Sequence, residues 1–159
     1  MCIRDRISGE PGFYVVRIRE LIRQTGINLV EEYLPRGADG VSRIGEIAVR
    51  PGLASAEEFS VLVHEAAHEI MHSRERRKET TKLVRETEAE AVAFVVSRAI
   101  GLETSTASSD YIQLYDGSRE TLQDSLREIR SCAVFILDGL LTEDQPADNN
   151  PADSVRNDQ

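Results

Sequence analysis

Two histidines and a glutamate stand at a spacing that suits metal chemistry. His64, Glu65 and His68 form a His-Glu-x-x-His motif inside residues 55–72, a segment whose apolar pattern predicts a helix. Residues four apart share one face of a helix, so the imidazoles of His64 and His68 can bind one Zn²⁺ ion together. Glu65 lies about 100° further round the helix, where its carboxylate can act as general base on a metal-bound water. The motif therefore predicts a catalytic zinc site.

A catalytic zinc ion usually has three protein ligands and one open position, so two histidines leave this site one ligand short. The next predicted helix, residues 82–100, carries acids that are candidates for the third ligand. Glu86 and Glu90 share one face of that helix. Glu88 lies about 200° from each of them on the helical wheel, so we expect it to point elsewhere. The spacing alone leaves Glu86 and Glu90 as alternatives.

A third histidine follows the motif by one more helical turn. His72 is four residues after His68, but three imidazoles spread over two turns span about 12 Å and cannot converge on one ion. We therefore expect His72 to have a structural role or to support the metal ligands from behind.

The elements that must position this site predict an α+β fold, mostly helical, with a small antiparallel sheet. Ser55 and Glu58 have the spacing of a capping box at the start of the motif helix. The apolar periodicity predicts helices at residues 12–24, 55–72, 82–100 and 118–141, and strands at residues 27–33 and 44–49.

The segments between and after these elements show little apolar periodicity. Residues 73–82 read as a charged, solvated connector, with an electrostatic docking patch as the alternative, and residues 104–109 as a polar loop. A short helix is expected at residues 110–115, where Tyr111 is a candidate oxyanion donor or a core tyrosine. The tail, residues 142–159, is too polar to pack and is expected to be disordered.

Length and composition limit the class of protein. The chain has 159 residues and a net charge of −9, which fits one domain at residues 7–141 and argues against a protein that coats nucleic acid. It has no apolar run of membrane-spanning length, and its two cysteines make no disulfide framework. We therefore expect a cytoplasmic protein without membrane contact. Residues 1–6 resemble a translated sequencing adapter, so we expect an artefact or a disordered start there, and an upstream domain missing.

The His-Glu-x-x-His motif and a segment of the following helix resemble those of a known superfamily. His64-Glu65-Ala66-Ala67-His68, followed by Glu90-Ala91-Val92-Ala93-Phe94, is similar to zincin-like metallopeptidase domains of the ImmA/IrrE type and of ArdC-type antirestriction proteins. The resemblance implies a gluzincin-like domain with the His-Glu-x-x-His helix packed on a glutamate-bearing helix. It implies Glu90 as the third zinc ligand, with Glu86 as the alternative. A frame shifted by two residues would select Glu88. The chain differs from the ImmA/IrrE type at one position of this stretch, where Val92 replaces a polar residue.

The resemblance also implies a function. The expected activity is a zinc metalloendopeptidase of narrow specificity that cleaves a repressor or other regulatory protein, with Glu65 and Tyr111 as catalytic residues. Contact with DNA would then need the missing upstream domain, since nothing in the chain matches a DNA-binding domain. The alternative is a non-catalytic antirestriction or protein-interaction module in which zinc only joins two helices.

Overall fold

The computed structural model describes residues 7–104 and 119–142, and these residues form an α+β fold made mostly of helices, as predicted. Among the described residues the helices are α1 (Tyr14–Gln24), α2 (Ser55–Met71), α3 (Arg74–Glu79), α4 (Lys82–Ala99) and α5 (Arg119–Leu141). The strands are short: β1 (Ile7–Ser8), β2 (Asn28–Glu31), β3 (Gly40–Ser42), β4 (Glu46–Val49) and β5 (Glu103–Thr104). One turn of 3-10 helix at Pro35–Gly37 lies between β2 and β3.

The sheet contains antiparallel pairs, as predicted, but the two predicted strands do not form one. β2 and β4 pair in parallel, while β3, which the sequence pattern missed, pairs antiparallel with β4. The strand order is therefore β2-β4-β3, and β1 and β5 form a separate antiparallel pair. The connection between β2 and β4 is long enough for the crossover that parallel strands need.

A tight turn joins β3 to β4 and is fastened to α2. Ile44 and Gly45 both have positive φ, at 48° and 88°, which is the conformation of a type I′ hairpin turn. The carboxylate of Glu69 on α2 accepts hydrogen bonds from both backbone amides, at 3.0 Å from Ile44 and 2.6 Å from Gly45. The side chain of Ser42 donates to the same carboxylate. Glu69 therefore holds the hairpin beside the motif helix.

The start of α2 differs from the predicted capping box. Ala54 occupies the N-cap position with an extended backbone, and no side chain caps the helix. Ser55 is already the first helical residue, so it does not occupy the N-cap position that a capping box requires. The carboxylate of Glu58 instead pairs with Arg19 of α1 at 2.7 Å. The expected cap is thus replaced by an ion pair between two helices.

The motif helix α2 lies at the centre of the core. It packs against α1, α4, α5 and the sheet, so its backbone is held from several directions. Most of the apolar stripe predicted for it is buried, each large side chain contributing about 1.5–3 kcal/mol relative to exposure. The buried members of the stripe are Phe59, Leu62, Val63, Ala66 and Ala67. Ile70, an apolar residue near the end of the same helix, is 37% exposed.

The predicted charged connector is a short helix, α3. Ser73 caps it by accepting a hydrogen bond from the backbone amide of Arg76 at 3.2 Å. Arg77 turns inward, where its Nε donates to the carbonyl of His72 at 2.9 Å, just after α2 ends. Arg85 donates to carbonyls of the same segment, including that of Arg77 at 3.1 Å. Arg77 of the predicted connector and Arg85 of α4 therefore hold α2, α3 and α4 together.

Helix α4 ends as predicted at a glycine. Gly101 has φ +91°, and its amide donates to the carbonyl of Arg98 while the amide of Leu102 donates to that of Ser97. This pair of bonds is the Schellman ending that glycine allows. In α5 most of the predicted apolar face is buried, including Ala133, Ile136 and Leu140. Leu126 is 54% exposed, whereas Ser125 is buried.

Some predicted segments lie outside the described residues. They are residues 1–6, most of the polar loop at 104–109, the helix at 110–115 with Tyr111, and the tail after residue 142. Thr104, the first residue of the predicted loop, pairs with Ile7 in the β1–β5 ladder. Across the described ranges, no helix has both the length and the apolar character needed to cross a bilayer.

Candidate metal centre

Three side chains from two helices converge at the surface of α2. His64 and His68, one turn apart on α2, bring their Nε2 atoms to 3.2 Å from one another. Glu86 on α4 places Oε2 at 3.5 Å from Nε2 of His64 and Oε1 at 3.5 Å from Nε2 of His68. One donor atom from each of the three residues lies within 4.8 Å of the others. Among the described residues, these form the cluster able to hold a metal ion.

The spacing of the three donor groups fits a tetrahedral zinc ion. Zinc–ligand bonds of about 2.0–2.1 Å hold neighbouring ligand atoms about 3.3 Å apart. The 3.2 Å between the two Nε2 atoms is close to that value, and each of the two carboxylate oxygens of Glu86 lies 3.5 Å from one of these nitrogens. Two imidazoles and a carboxylate are also the ligand set of the thermolysin type of catalytic zinc site.

Glu90, the ligand implied by the resemblance, lies on the other side of His64. Its Oε2 is 3.1 Å from Nδ1, the ring nitrogen that faces away from the convergence point. An imidazole that binds metal through Nε2 carries its proton on Nδ1 and commonly donates it to a carboxylate. The arrangement therefore favours Glu86 as the ligand, with Glu90 orienting the ring of His64.

Glu88 points away from the cluster, as the helical wheel predicted, and is fully buried. Its Oε2 is 2.8 Å from Nε2 of His72, whose Nδ1 is 2.9 Å from Nδ1 of His68. Its Oε1 accepts from Arg76 at 2.5 Å and from Ser125 at 2.6 Å. His72 is therefore placed behind His68, in the supporting position expected for it.

Glu65 lies beside the cluster against strand β3. It is mostly buried, and its negative charge is one of the causes that raise the pKa of His64. Gly40 of β3 packs so closely that an added Cβ would lie 2.9 Å from Cγ of Glu65 and 3.0 Å from its Oε1. The strand thus bounds the space available to this carboxylate. Tyr111, the other predicted catalytic residue, lies outside the described part of the chain.

The electrostatics of the cluster favour a positive charge between the three side chains. Burial alone would lower the pKa of His64, but hydrogen bonds to Glu86 and Glu90 and nearby negative charges raise it to about 10. The hydrogen bond from His64 is the largest cause that holds the pKa of the Glu86 carboxyl well below its usual range, against the effect of burial. Glu86 is therefore ionised, and without metal a proton on His64 balances it.

The surroundings of His72 and Glu88, which lie behind the cluster, also determine the charges of these two residues. Burial lowers the pKa of His72 even though Glu88 is beside it, so His72 is neutral at neutral pH. Burial opposes ionisation of Glu88, but hydrogen bonds from His72 and Ser125 and the charge of Arg76 leave the pKa of Glu88 below its ordinary value. The buried pair of Glu88 and Arg76 thus has compensating charges.

Sequence reasoning missed the partners of this buried network. Arg76 read as one cation of a solvated connector, and Ser125 is a polar residue inside the helix predicted from apolar periodicity at residues 118–141. The available signal was helical spacing. Ser125 shares one face of α5 with Ile129, Cys132 and Ile136, so this small polar residue lies on the inner face of the helix. The contact of Gly40 with Glu65 is made across the fold, so it leaves no local pattern in the sequence.

Comparisons with protein-family models, with curated proteins and with solved structures found no match for this chain. The resemblance to zincin-like peptidases therefore rests on the motif residues and stays a prediction.

Proposed function

We propose that this chain is a zinc-dependent metalloendopeptidase in which His64, His68 and Glu86 hold the metal. The observation that carries the proposal is the convergence of three donor groups at tetrahedral spacing on a helix that also bears Glu65. A purely structural zinc site is usually closed by a fourth protein ligand. The three-ligand set found among the described residues and the adjacent acid both suit a catalytic site.

The chemistry divides between the metal and the chain's own residues. Zinc bound at this site would polarise a scissile carbonyl and lower the pKa of a water molecule. Glu65 accepts a proton from the attacking water and returns it to the leaving amine as general acid. Glu90 orients His64 through Nδ1, and the hairpin held by Glu69 keeps β3 against Glu65. The positions of these groups relative to one another are set by packing of α2, α4 and β3.

We propose that the substrate is one protein, such as a repressor or another regulator, cleaved in a bacterium or mobile element. The support for this substrate is the resemblance to the ImmA/IrrE and ArdC-type domains alone. The described fold adds one relevant feature. The inward contacts of Arg76 and Arg77 leave fewer cations on α3 to attract an acidic substrate segment than its sequence suggests.

The test of the activity compares the wild-type chain with Glu65→Gln. Each is co-expressed with the proteins encoded beside it, and new peptide termini are identified by mass spectrometry. We expect cleavage of one neighbour by the wild type and none by Glu65→Gln, with equal zinc content in both. Cleavage that persists in Glu65→Gln would contradict the role of Glu65. Extensive digestion of casein would contradict narrow specificity, and zinc binding without any cleavage would favour the non-catalytic module.

A further inference from the structure

A continuous row of buried side chains runs behind the proposed metal centre. It begins at His68, passes through His72, and ends at Glu88, where Arg76 and Ser125 converge on one carboxylate oxygen. The side chains of His72 and Glu88 are completely enclosed. The row therefore connects one candidate metal ligand on α2 to residues of α3, α4 and α5.

When each imidazole of this row carries a single proton, the donors and acceptors have one consistent direction. A guanidinium can only donate, so Oε1 of Glu88 accepts from Arg76, and the ion pair with this cation keeps the carboxylate ionised, so that Oε2 accepts as well. His72 must then donate to Oε2 of Glu88 through Nε2–H. A neutral imidazole has one N–H, so Nδ1 of His72 is bare and can only accept. The proton in the bond between the two Nδ1 atoms consequently belongs to His68.

We propose that Glu88 and His72 are positioning residues that fix His68 as its Nδ1–H tautomer, with the lone pair of Nε2 presented to a metal ion. This proposal rests on the proposed metal site. The free nitrogen of His68 faces Nε2 of His64 and Oε1 of Glu86, which are the two other groups of the cluster. The ligand is thus prepared for zinc before any metal binds.

The role differs from ordinary packing because it depends on the charge of Glu88 and on the direction of the hydrogen bonds. A carboxylate that accepts from a ligand's imidazole, directly or through another group, orients the ring and makes it a better donor to metal. Losing such a partner typically costs about 10–100-fold in metal affinity. Replacing Glu88 by glutamine keeps the size of the side chain but lets it donate as well as accept, so the direction is no longer fixed.

The chain offers an unusually simple readout, since His64, His68 and His72 are its three histidines. Selective ¹⁵N labelling of histidine gives a spectrum of three imidazoles, in which each tautomer can be read from its nitrogen shifts. In the metal-free wild type we expect His72 as the Nε2–H tautomer and His68 as the Nδ1–H tautomer. Zinc should then bind Nε2 of His68 without moving the Nδ1 proton. His68 found with its proton on Nε2 would overturn the proposal.

The second measurement is zinc affinity by competition with a chelator. We expect Glu88→Gln to raise the dissociation constant about 10–100-fold, and Ser125→Ala, which keeps the charge of Glu88, to raise it less. Glu75→Gln is the matched control, because Glu75 is exposed in the first turn of α3 and its loss removes the same charge. Equal affinities in Glu88→Gln and Glu75→Gln would contradict the proposal.

The two proposals can fail separately. If the wild type binds no zinc, the proposed function fails, whereas the tautomers of the metal-free chain still decide whether Glu88 and His72 fix His68. If Glu88→Gln does not fold, the wild-type tautomers and Ser125→Ala decide it. If zinc binds to the wild type but His68 has the opposite tautomer, the metal site stands and the positioning role is lost.

Discussion

Each of the two candidate histidine ligands uses its ring nitrogens for different purposes. Nε2 of His64 and Nε2 of His68 face one another, while their Nδ1 atoms contact Glu90 and His72 respectively. Such a division suits metal binding, because the outer contact fixes the ring while the inner nitrogen faces the position of the metal. The same geometry explains why Glu86, and not Glu90, is the acid closest to both Nε2 atoms.

The raised pKa of His64 predicts that zinc binding releases a proton. Its pKa of about 10 means that His64 is protonated in the metal-free chain at neutral pH, and that proton must leave before Nε2 can bind zinc. Because a raised pKa favours the protonated, metal-free form at every pH below that value, the apparent zinc affinity should rise with pH. The rise should continue towards about pH 10.

Calorimetry checks this prediction. Zinc titrations near about pH 7.5 in buffers of different ionisation enthalpy should show release of about one proton from His64. Affinity should also increase by up to about tenfold per pH unit between about pH 7 and about pH 9. An affinity that is constant over this range would show that His64 is not protonated in the metal-free chain.

At the scale of elements, the approach of strand β3 to helix α2 is the contact most closely tied to the proposed chemistry. Gly40 has no Cβ, and one added there would lie 2.5 Å from Cγ1 of Val61 and 2.9 Å from Cγ of Glu65. Both contacts are too short to be accepted without movement of the strand or of Glu65. The hairpin held by Glu69 leaves the strand little freedom to move.

We therefore predict that Gly40→Ala displaces Glu65 and impairs cleavage without removing zinc. Overpacking of this kind typically costs about 1–3 kcal/mol of stability, which chemical denaturation would measure. Gly139→Ala is the matched control, because its Cβ would meet the flexible side chain of Leu21 instead, at 2.7 Å. Equal loss of cleavage in both variants would show that stability, rather than the position of Glu65, limits activity.

Elements with a strong local pattern could be predicted from the sequence. The helices at α1, α2 and α4 follow from apolar periodicity, and the ending of α4 follows from Gly101. Pairing of β2 with β4 could not be predicted in the same way. The sequence of a short apolar strand does not show whether it pairs in parallel or antiparallel. Strand β3 is only three residues long, which is too short to show a pattern. The short helix α3 was hidden because its inward contacts are made by arginines.

At the scale of the whole molecule, the sequence could supply the candidate ligands but not the choice among them. His64 and His68 are one turn apart on one helix, so their relation is local. Which glutamate of α4 reaches them depends on the rotation of α4 against α2, and the neighbouring helices set that rotation through packing. The same rotation sends Glu88 inward to Arg76 and Ser125, a group drawn from three helices.

The central claim is that His64, His68 and Glu86 hold one zinc ion, and zinc binding by a matched pair of variants tests it most directly. Zinc per chain and its affinity would be measured for the wild type, Glu86→Gln and Glu90→Gln. We predict one zinc per wild-type chain, a loss of at least about 100-fold in affinity for Glu86→Gln, and a smaller loss of about tenfold for Glu90→Gln. A wild-type chain without zinc, or the reverse order of the two variants, would contradict the claim.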